Sequence, residues 1–154
     1  MRARDLAEPY PTIGMGDHLT AAADLLVGQR LPALLVLDTY GHPVAVLRAE
    51  QLIDACLPRY FTQDPLLARI IDEPYADRLR VAPERLVSDC LPPGRPQPFS
   101  VPPDCTIVEI AELMVRIGSP VVAVMDRNPD GTARLVGAVT ATRLLERLRQ
   151  GTHA

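Results

Sequence analysis

The sequence predicts an α+β fold made of two β-α-β-β-α repeats related by pseudo-twofold symmetry. Three observations carry this. Ala23-Asp24-Leu25-Leu26 returns as Ala111-Glu112-Leu113-Met114, and Leu31-Pro32-Ala33-Leu34-Leu35-Val36-Leu37-Asp38 returns as Ser119-Pro120-Val121-Val122-Ala123-Val124-Met125-Asp126, each 88 residues on. Within each copy the apolar positions alternate between helical spacing and short continuous runs. The core must be aliphatic, because 47% of the 154 residues are hydrophobic, 4% are aromatic and Trp is absent.

The first copy (residues 1–56) opens with a small capping segment, Arg4-Asp5-Leu6, and a short strand near Thr12-Ile13. Leu19, Ala22, Ala23 and Leu26 then stand at i, i+3, i+4, i+7, which puts four apolar side chains on one helical face. Asp17 or His18 is the expected cap of that helix. Ala33 to Leu37 is a continuous apolar run, suited to a strand buried on both faces. The turn Thr39-Tyr40-Gly41-His42-Pro43 leads to a strand from Val44 to Leu47. Ala49, Leu52, Ile53 and Cys56 give the second helix its apolar face.

A connector follows, residues 57–85, with Pro58, Pro65, Pro74 and Pro83 and charges throughout. Within it Pro65-Leu66-Leu67-Ala68-Arg69-Ile70-Ile71 predicts a short helix with Pro in its first turn. Its side carrying Leu66, Leu67, Ile70 and Ile71 is expected to pack on the body.

The second copy (residues 86–149) begins with the capping segment Ser88-Asp89-Cys90-Leu91. Six prolines between Leu91 and Pro103 predict a rigid, extended loop over Pro92 to Pro98, ending in a strand near Phe99-Ser100-Val101. Thr106 with Glu109 reads as a capping box, ahead of Ile107, Ile110, Ala111 and Met114 at helical spacing. The strand Val121 to Met125 follows. The turn Arg127-Asn128-Pro129-Asp130-Gly131 reads as four residues longer than its counterpart, so the spacing becomes 92. Leu135 to Val139 is the next strand, and Ala141, Leu144, Leu145 and Leu148 match the first copy's second helix. Residues 150–154 read as a frayed tail.

Composition excludes several function classes. A net charge of −3 with scattered basic residues argues against a nucleic-acid binder. Cys56, Cys90 and Cys105 are odd in number and form no Cys-x-x-Cys pair, which predicts free thiols in a reducing compartment. Met1-Arg2-Ala3-Arg4-Asp5 has no apolar signal region, and no apolar run is long enough to span a bilayer. A cytoplasmic protein without direct membrane insertion is expected. His18, His42 and His153 share no metal-ligand spacing, so no metal site is predicted. No P-loop, Gly-x-Ser-x-Gly or Gly-x-Gly-x-x-Gly string occurs. No catalytic residues are assigned, and the repeats reach within a few residues of both ends, so no attached catalytic domain is expected.

The order Asp-Leu, short strand, amphipathic helix, Pro-apolar strand-Asp, turn, Leu-Val-Gly-x-Val-Thr, helix resembles the cystathionine β-synthase (CBS) domain. The best-matching string is Leu135-Val136-Gly137-Ala138-Val139-Thr140-Ala141-Thr142-Arg143-Leu144-Leu145. Two copies in tandem resemble a Bateman module. The resemblance implies two clefts between packed sheets, which in that family often take AMP, ATP or S-adenosylmethionine. It places Ser100, Val101, Pro120 and Val121 at a cleft, with Gly137, Ala138 and Thr140. The family pattern is Gly-x-x-Thr/Ser-x-x-Asp, with Thr on phosphate or ribose and Asp on the ribose hydroxyls. Gly137 and Thr140 match it, whereas Arg143 stands at the Asp position. In the first copy Arg48 stands at the Thr position and Gln51 at the Asp position.

An ionised carboxylate accepts two ribose hydrogen bonds and arginine accepts none. Losing a charged hydrogen bond costs about 1.5–3 kcal/mol, so ordinary adenosine recognition is weakened. Arg143 and Arg48 suit phosphate or carboxylate instead. Each residue also has a plainer reading: Thr140 as a helix cap, Arg143 and Arg48 as solvated helix faces, Ser100 and Val101 as ordinary strand residues. Two functions follow. One is a stand-alone regulatory module that binds a small anionic ligand between the repeats and signals to a partner. The other is a ligand-free dimerisation or docking scaffold for a transporter, channel or enzyme. The resemblance implies a homodimer, for which Leu52, Ile53, Leu144 and Leu145 are the candidate face.

Overall fold

The computed structural model describes residues 1–57, 63–64, 66–70, 79–91 and 99–151. The expected loop over residues 92–98, Pro58, Pro65, Ile71 and Pro74 of the connector, and the tail beyond Gly151 lie outside the described residues.

The described residues form an α+β fold with two three-stranded sheets. The first repeat contributes α1 (Ala3–Leu6), β1 (Thr12–Gly14), α2 (Leu19–Gly28), β2 (Ala33–Leu37), β3 (Pro43–Arg48) and α3 (Ala49–Cys56). The second contributes β4 (Ser100–Val101), α4 (Ile107–Ile117), β5 (Val121–Arg127), β6 (Ala133–Thr140) and α5 (Ala141–Gln150). In each sheet the first strand pairs parallel with the second, which pairs antiparallel with the third. The repetition extends to an irregularity. The first ladder shifts register between Val36 and Leu37, and the second between Val124 and Met125, again 88 residues on.

The continuous apolar runs are central strands. Leu34, Leu35 and Val36 are fully buried, as are Val122, Ala123 and Val124. Burying each Leu or Val contributes about 1.5–3 kcal/mol. Alternation along the strands divides the core into three parts. Val122, Val124 and Val139 face α4 and α5, and Leu34, Val36 and Leu47 face α2 and α3. Ala33 and Leu35 meet Val121 and Ala123 between the two sheets. These two pairs are repeat equivalents, so the sheets join about the pseudo-twofold axis.

Thr106 and Glu109 form the expected capping box. Thr106 N donates to Glu109 Oε2 at 2.8 Å and Glu109 N to Thr106 Oγ1 at 3.3 Å. The first repeat differs. His18 occupies the cap position of α2 without a side-chain hydrogen bond, and Asp17 Oδ2 accepts from Gly14 N instead. The carboxylate closes the end of β1, so it is unavailable to the helix.

Further corrections concern length and exposure. The four additional residues do not enlarge the turn. They extend the ladder by the pairs Asp126↔Arg134 and Arg127↔Ala133, after which Asn128 N donates to Thr132 O much as Asp38 N does to His42 O. Among the described residues of the predicted connector helix, Leu67–Arg69 form a 3₁₀ turn, and Leu66 and Ile70 are exposed rather than packed. On the second helices of each repeat, Leu52 and Leu144 are buried within their own cores and so are not available to a dimer face. Ile53, Leu145 and Leu148 are exposed. A short helix over a small sheet covers only a narrow stripe.

The capping segments are exchanged. Ala3 and Leu6 are buried in the core of the second repeat, and Val87 in the core of the first. Arg2 bridges to Thr106, and Leu86 to His18, each at the cap of the other repeat's helix. Asp5 Oδ2 accepts from Arg2 N, and Asp89 Oδ2 from Leu86 N, both at 2.8 Å. Each repeat's core is therefore completed by chain belonging, in sequence, to the other.

Candidate functional site

The starts of β2 and β5 lie near the pseudo-twofold axis, where Pro32 and Pro120 precede the buried strands. These two prolines line an open cavity of about 540 Å³ together with Arg48 and Glu50 from the first repeat and Gly118 and Ser119 from the second. Local chemistry shapes its wall. Gly118 ends α4 in the left-handed conformation at φ 62°, with its N–H donating to Met114 O. The same position in the first repeat is Arg30 at φ 52°. Ser119 Oγ donates to Val121 O at 2.6 Å and accepts from Val121 N at 3.2 Å, which holds the chain as it enters β5.

Among the described residues of the lining, Arg48 is the one cationic side chain. Its Nη1 donates to Gly118 O at 3.3 Å, across the junction between repeats. Its backbone N–H donates to Gln51 Oε1 at 2.7 Å, so the Gln51 side chain serves the start of α3. The guanidinium keeps further donors, arranged in a fork that matches a carboxylate or phosphate.

The other site residues are distributed around this cavity and beyond it. Pro120 lines it, and Val121 is fully buried between the sheets. Ser100 and Val101 line a second open cavity of about 630 Å³ with Arg4, Asp104, Asp126 and Arg127, at the hairpin end of the sheet. Ser100 pairs with Ala123, which places it on the inter-sheet face, while Val101 packs in the second repeat's own core. Thr140 caps α5, its Oγ1 accepting from Arg143 N at 3.1 Å. Gly137 and Ala138 lie beneath the N-terminal segment. Glu8 N donates to Ala138 O at 3.0 Å and Ala138 N to Glu8 O at 2.9 Å. Arg143 Nε lies 3.4 Å from Glu8 Oε1, and Nη1 donates to Glu146 Oε2 at 3.5 Å.

Sequence reasoning missed Pro32, Glu50, Gly118 and Ser119. The repeat spacing that flagged Pro120 also marks Pro32. Glu8 had no signal, because its contact with Arg143 crosses nearly the whole chain. The thiols offer little chemistry. All three cysteines are free, and Cys105 is buried, its pKa pushed up to about 11 by desolvation and then by the Glu109 carboxylate. Among the described residues no cluster of His, Cys, Asp or Glu is arranged to hold a metal, and no helix is long and apolar enough to cross a membrane.

Two packed repeats around a shared axial cleft define a CBS domain pair. A CBS domain model matches residues 87–150. A CBS domain-containing protein of unknown function from Kribbella flavida is 36% identical, with 96% of this chain and 98% of that chain covered and a TM-score of 0.74. The chain belongs to the CBS domain family, as a tandem pair or Bateman module. Its fold is also that of CBSX2, solved in complex with AMP (18% identity, 98% of each chain, TM-score 0.67). The CBS domain of a membrane protein from Sphaerobacter thermophilus is similar too (24% identity, 95% of this chain and 86% of that one, TM-score 0.64). No curated protein matches the chain.

Proposed function

We propose that the protein is a regulatory module, not an enzyme, that takes a small anionic ligand between its repeats and reports the bound state to a partner protein. The observation that carries this reading is the axial cavity, lined by both repeats and supplied with the cation of Arg48. A ligand there touches Arg48 and Pro32 on one side and Gly118 to Pro120 on the other. Its affinity therefore depends on how the repeats sit together, which is what a signal requires. Adenine nucleotides are the first candidates, since a protein of the same fold has been solved with AMP; S-adenosylmethionine is the next. The partner is a transporter or enzyme. Calorimetric titration with AMP, ATP and S-adenosylmethionine tests the reading, and saturable heat with one of them is the expected result.

A second reading, a dimerising scaffold, is favoured by one observation. Ile53 and Leu145, repeat equivalents on α3 and α5, are 62% and 65% exposed. Apolar side chains repeated at equivalent places suit a homodimer of the module. Sedimentation equilibrium of the wild type and Leu145→Glu tests it: a dimer is expected, weakened by the substitution.

A further inference from the structure

The open cavity of about 630 Å³ at the hairpin end of the second sheet lies at the far end of β5 from the axial cavity. Four charged side chains line it: Arg4 from α1, Asp104 from the turn between β4 and α4, and Asp126 and Arg127 from the end of β5. Among the described residues none of these four side chains makes a hydrogen bond or an ion pair. Arg134 stands opposite Asp126 across the ladder and forms no ion pair with it.

The first repeat has no such group. Asp38 is the counterpart of Asp126, and its Oδ1 accepts from Tyr40 N and His42 N, both at 2.9 Å. In the second repeat the ladder runs two pairs further, and Asp130 closes the turn instead, its Oδ1 accepting from Thr132 N at 3.0 Å. Asp126 is thereby released from the turn and left at the cavity wall. Gly16, Thr39 and Ser88 stand where the second repeat has Asp104, Arg127 and Arg4, so the other three charges have no counterpart either. Their backbone is held in place. Arg4 N donates to Pro103 O at 2.9 Å and Ala3 N to Cys105 O at 2.8 Å, which ties α1 to the turn that carries Asp104.

Two cations and two anions sum to zero. A ligand of one sign is attracted by one pair and repelled by the other, whereas a ligand carrying both signs satisfies both. Val101 and Met125 add an apolar wall, and the volume falls in the range of small-molecule sites, about 300–1,000 Å³. We propose that this cavity binds a free α-amino acid with an aliphatic side chain. Its carboxylate meets Arg4 and Arg127, whose guanidinium forks match it. Its ammonium meets Asp104 and Asp126, and its side chain lies against Val101 and Met125. The site shares no residue with the Gly137–Thr140 motif and does not rest on the reading of the axial cavity.

The test is a nuclear magnetic resonance titration of the full chain, read at the Met125 methyl group and the Arg127 amide. The probes are L-leucine, L-leucinamide, which lacks the carboxylate, and 4-methylpentanoate, which lacks the ammonium. Leucine should shift both resonances saturably on the millimolar scale of weak sites, below about 10 mM. Each singly charged analogue should bind about three- to tenfold more weakly, the worth of an exposed charge pair. Asp126→Asn should weaken leucine by a similar factor without weakening 4-methylpentanoate. Arg127→Gln should weaken leucine without weakening leucinamide. Circular dichroism checks that both variants keep the fold, and the analogue comparison on the wild type stands without them. No saturable shift with leucine, equal affinity for leucine and either analogue, or leucine binding indifferent to both substitutions would overturn the proposal.

Discussion

The carbonyl oxygen of Glu8 lies 2.6 Å from the point where a Cβ on Gly137 would stand. Only glycine permits the N-terminal segment to reach the edge of β6, where it pairs with Ala138. The obstacle is backbone, which cannot rotate away as a flexible side chain does. Gly137→Ala should therefore destabilise the protein by about 1–3 kcal/mol, the usual cost of overpacking. Urea unfolding followed by circular dichroism measures this. An unchanged midpoint would show that the strap is loose.

The exchanged capping segments make a more unusual prediction. Leu6 belongs to the first repeat by sequence and to the second by packing, and is 1% exposed. Leu6→Ala should cost about 2–5 kcal/mol. Hydrogen exchange should show the loss of protection first in α4 and α5, not in α2 and α3. Accelerated exchange confined to the first repeat would contradict the exchange of cores.

Thr140 separates two roles. As the cap of α5 it accepts from Arg143 N, and Thr140→Ala should cost about 1 kcal/mol while Thr140→Asn costs much less. If Thr140 acts only as a cap, ligand affinity at fixed temperature should be the same in both variants once stability is allowed for. A loss of affinity in Thr140→Asn with stability retained would assign it a ligand contact.

Glu109 supplies the pH dependence. Its pKa is held below the ordinary glutamate range by the Thr106 N–H first, then by Cys105 and the Thr106 hydroxyl. A carboxylate whose folded-state pKa is depressed stabilises the fold above its unfolded pKa, and loses that contribution as pH falls through the folded value. Glu109→Gln should thus be less stable than wild type at about pH 7, with the gap closing at an acidic pH below the depressed folded-state value. Thermal unfolding at the two pH values checks it. A gap that widens in acid would mean that the carboxylate is not stabilising.

Much of the fold was legible because it is written in local patterns. The i, i+3, i+4, i+7 faces of α2 and α4, the buried runs of β2 and β5 and the Thr106–Glu109 box need only neighbours along the chain. What could not be read depends on distant chain. The departures of Ile53, Leu145 and Leu148 follow from how little of α3 and α5 the sheets cover. Asp17 was drawn to Gly14 N, a contact invisible to cap statistics. The candidate site was read less well. The motif led to Gly137, Thr140 and Arg143, where Glu8 now stands, while the axial cavity takes its shape from Gly118 and Ser119, residues that only the packing of two repeats brings opposite Arg48.

The most direct test is therefore at Arg48, the cation facing the axial cavity. Isothermal titration of about 100 μM protein with ATP, AMP and S-adenosylmethionine should give saturable heat with at least one, and Arg48→Ala should reduce that affinity roughly ten- to a hundredfold, the worth of a charged hydrogen bond. No heat with any of the three, or binding indifferent to Arg48→Ala, would contradict a nucleotide-sensing cleft on the axis between the repeats.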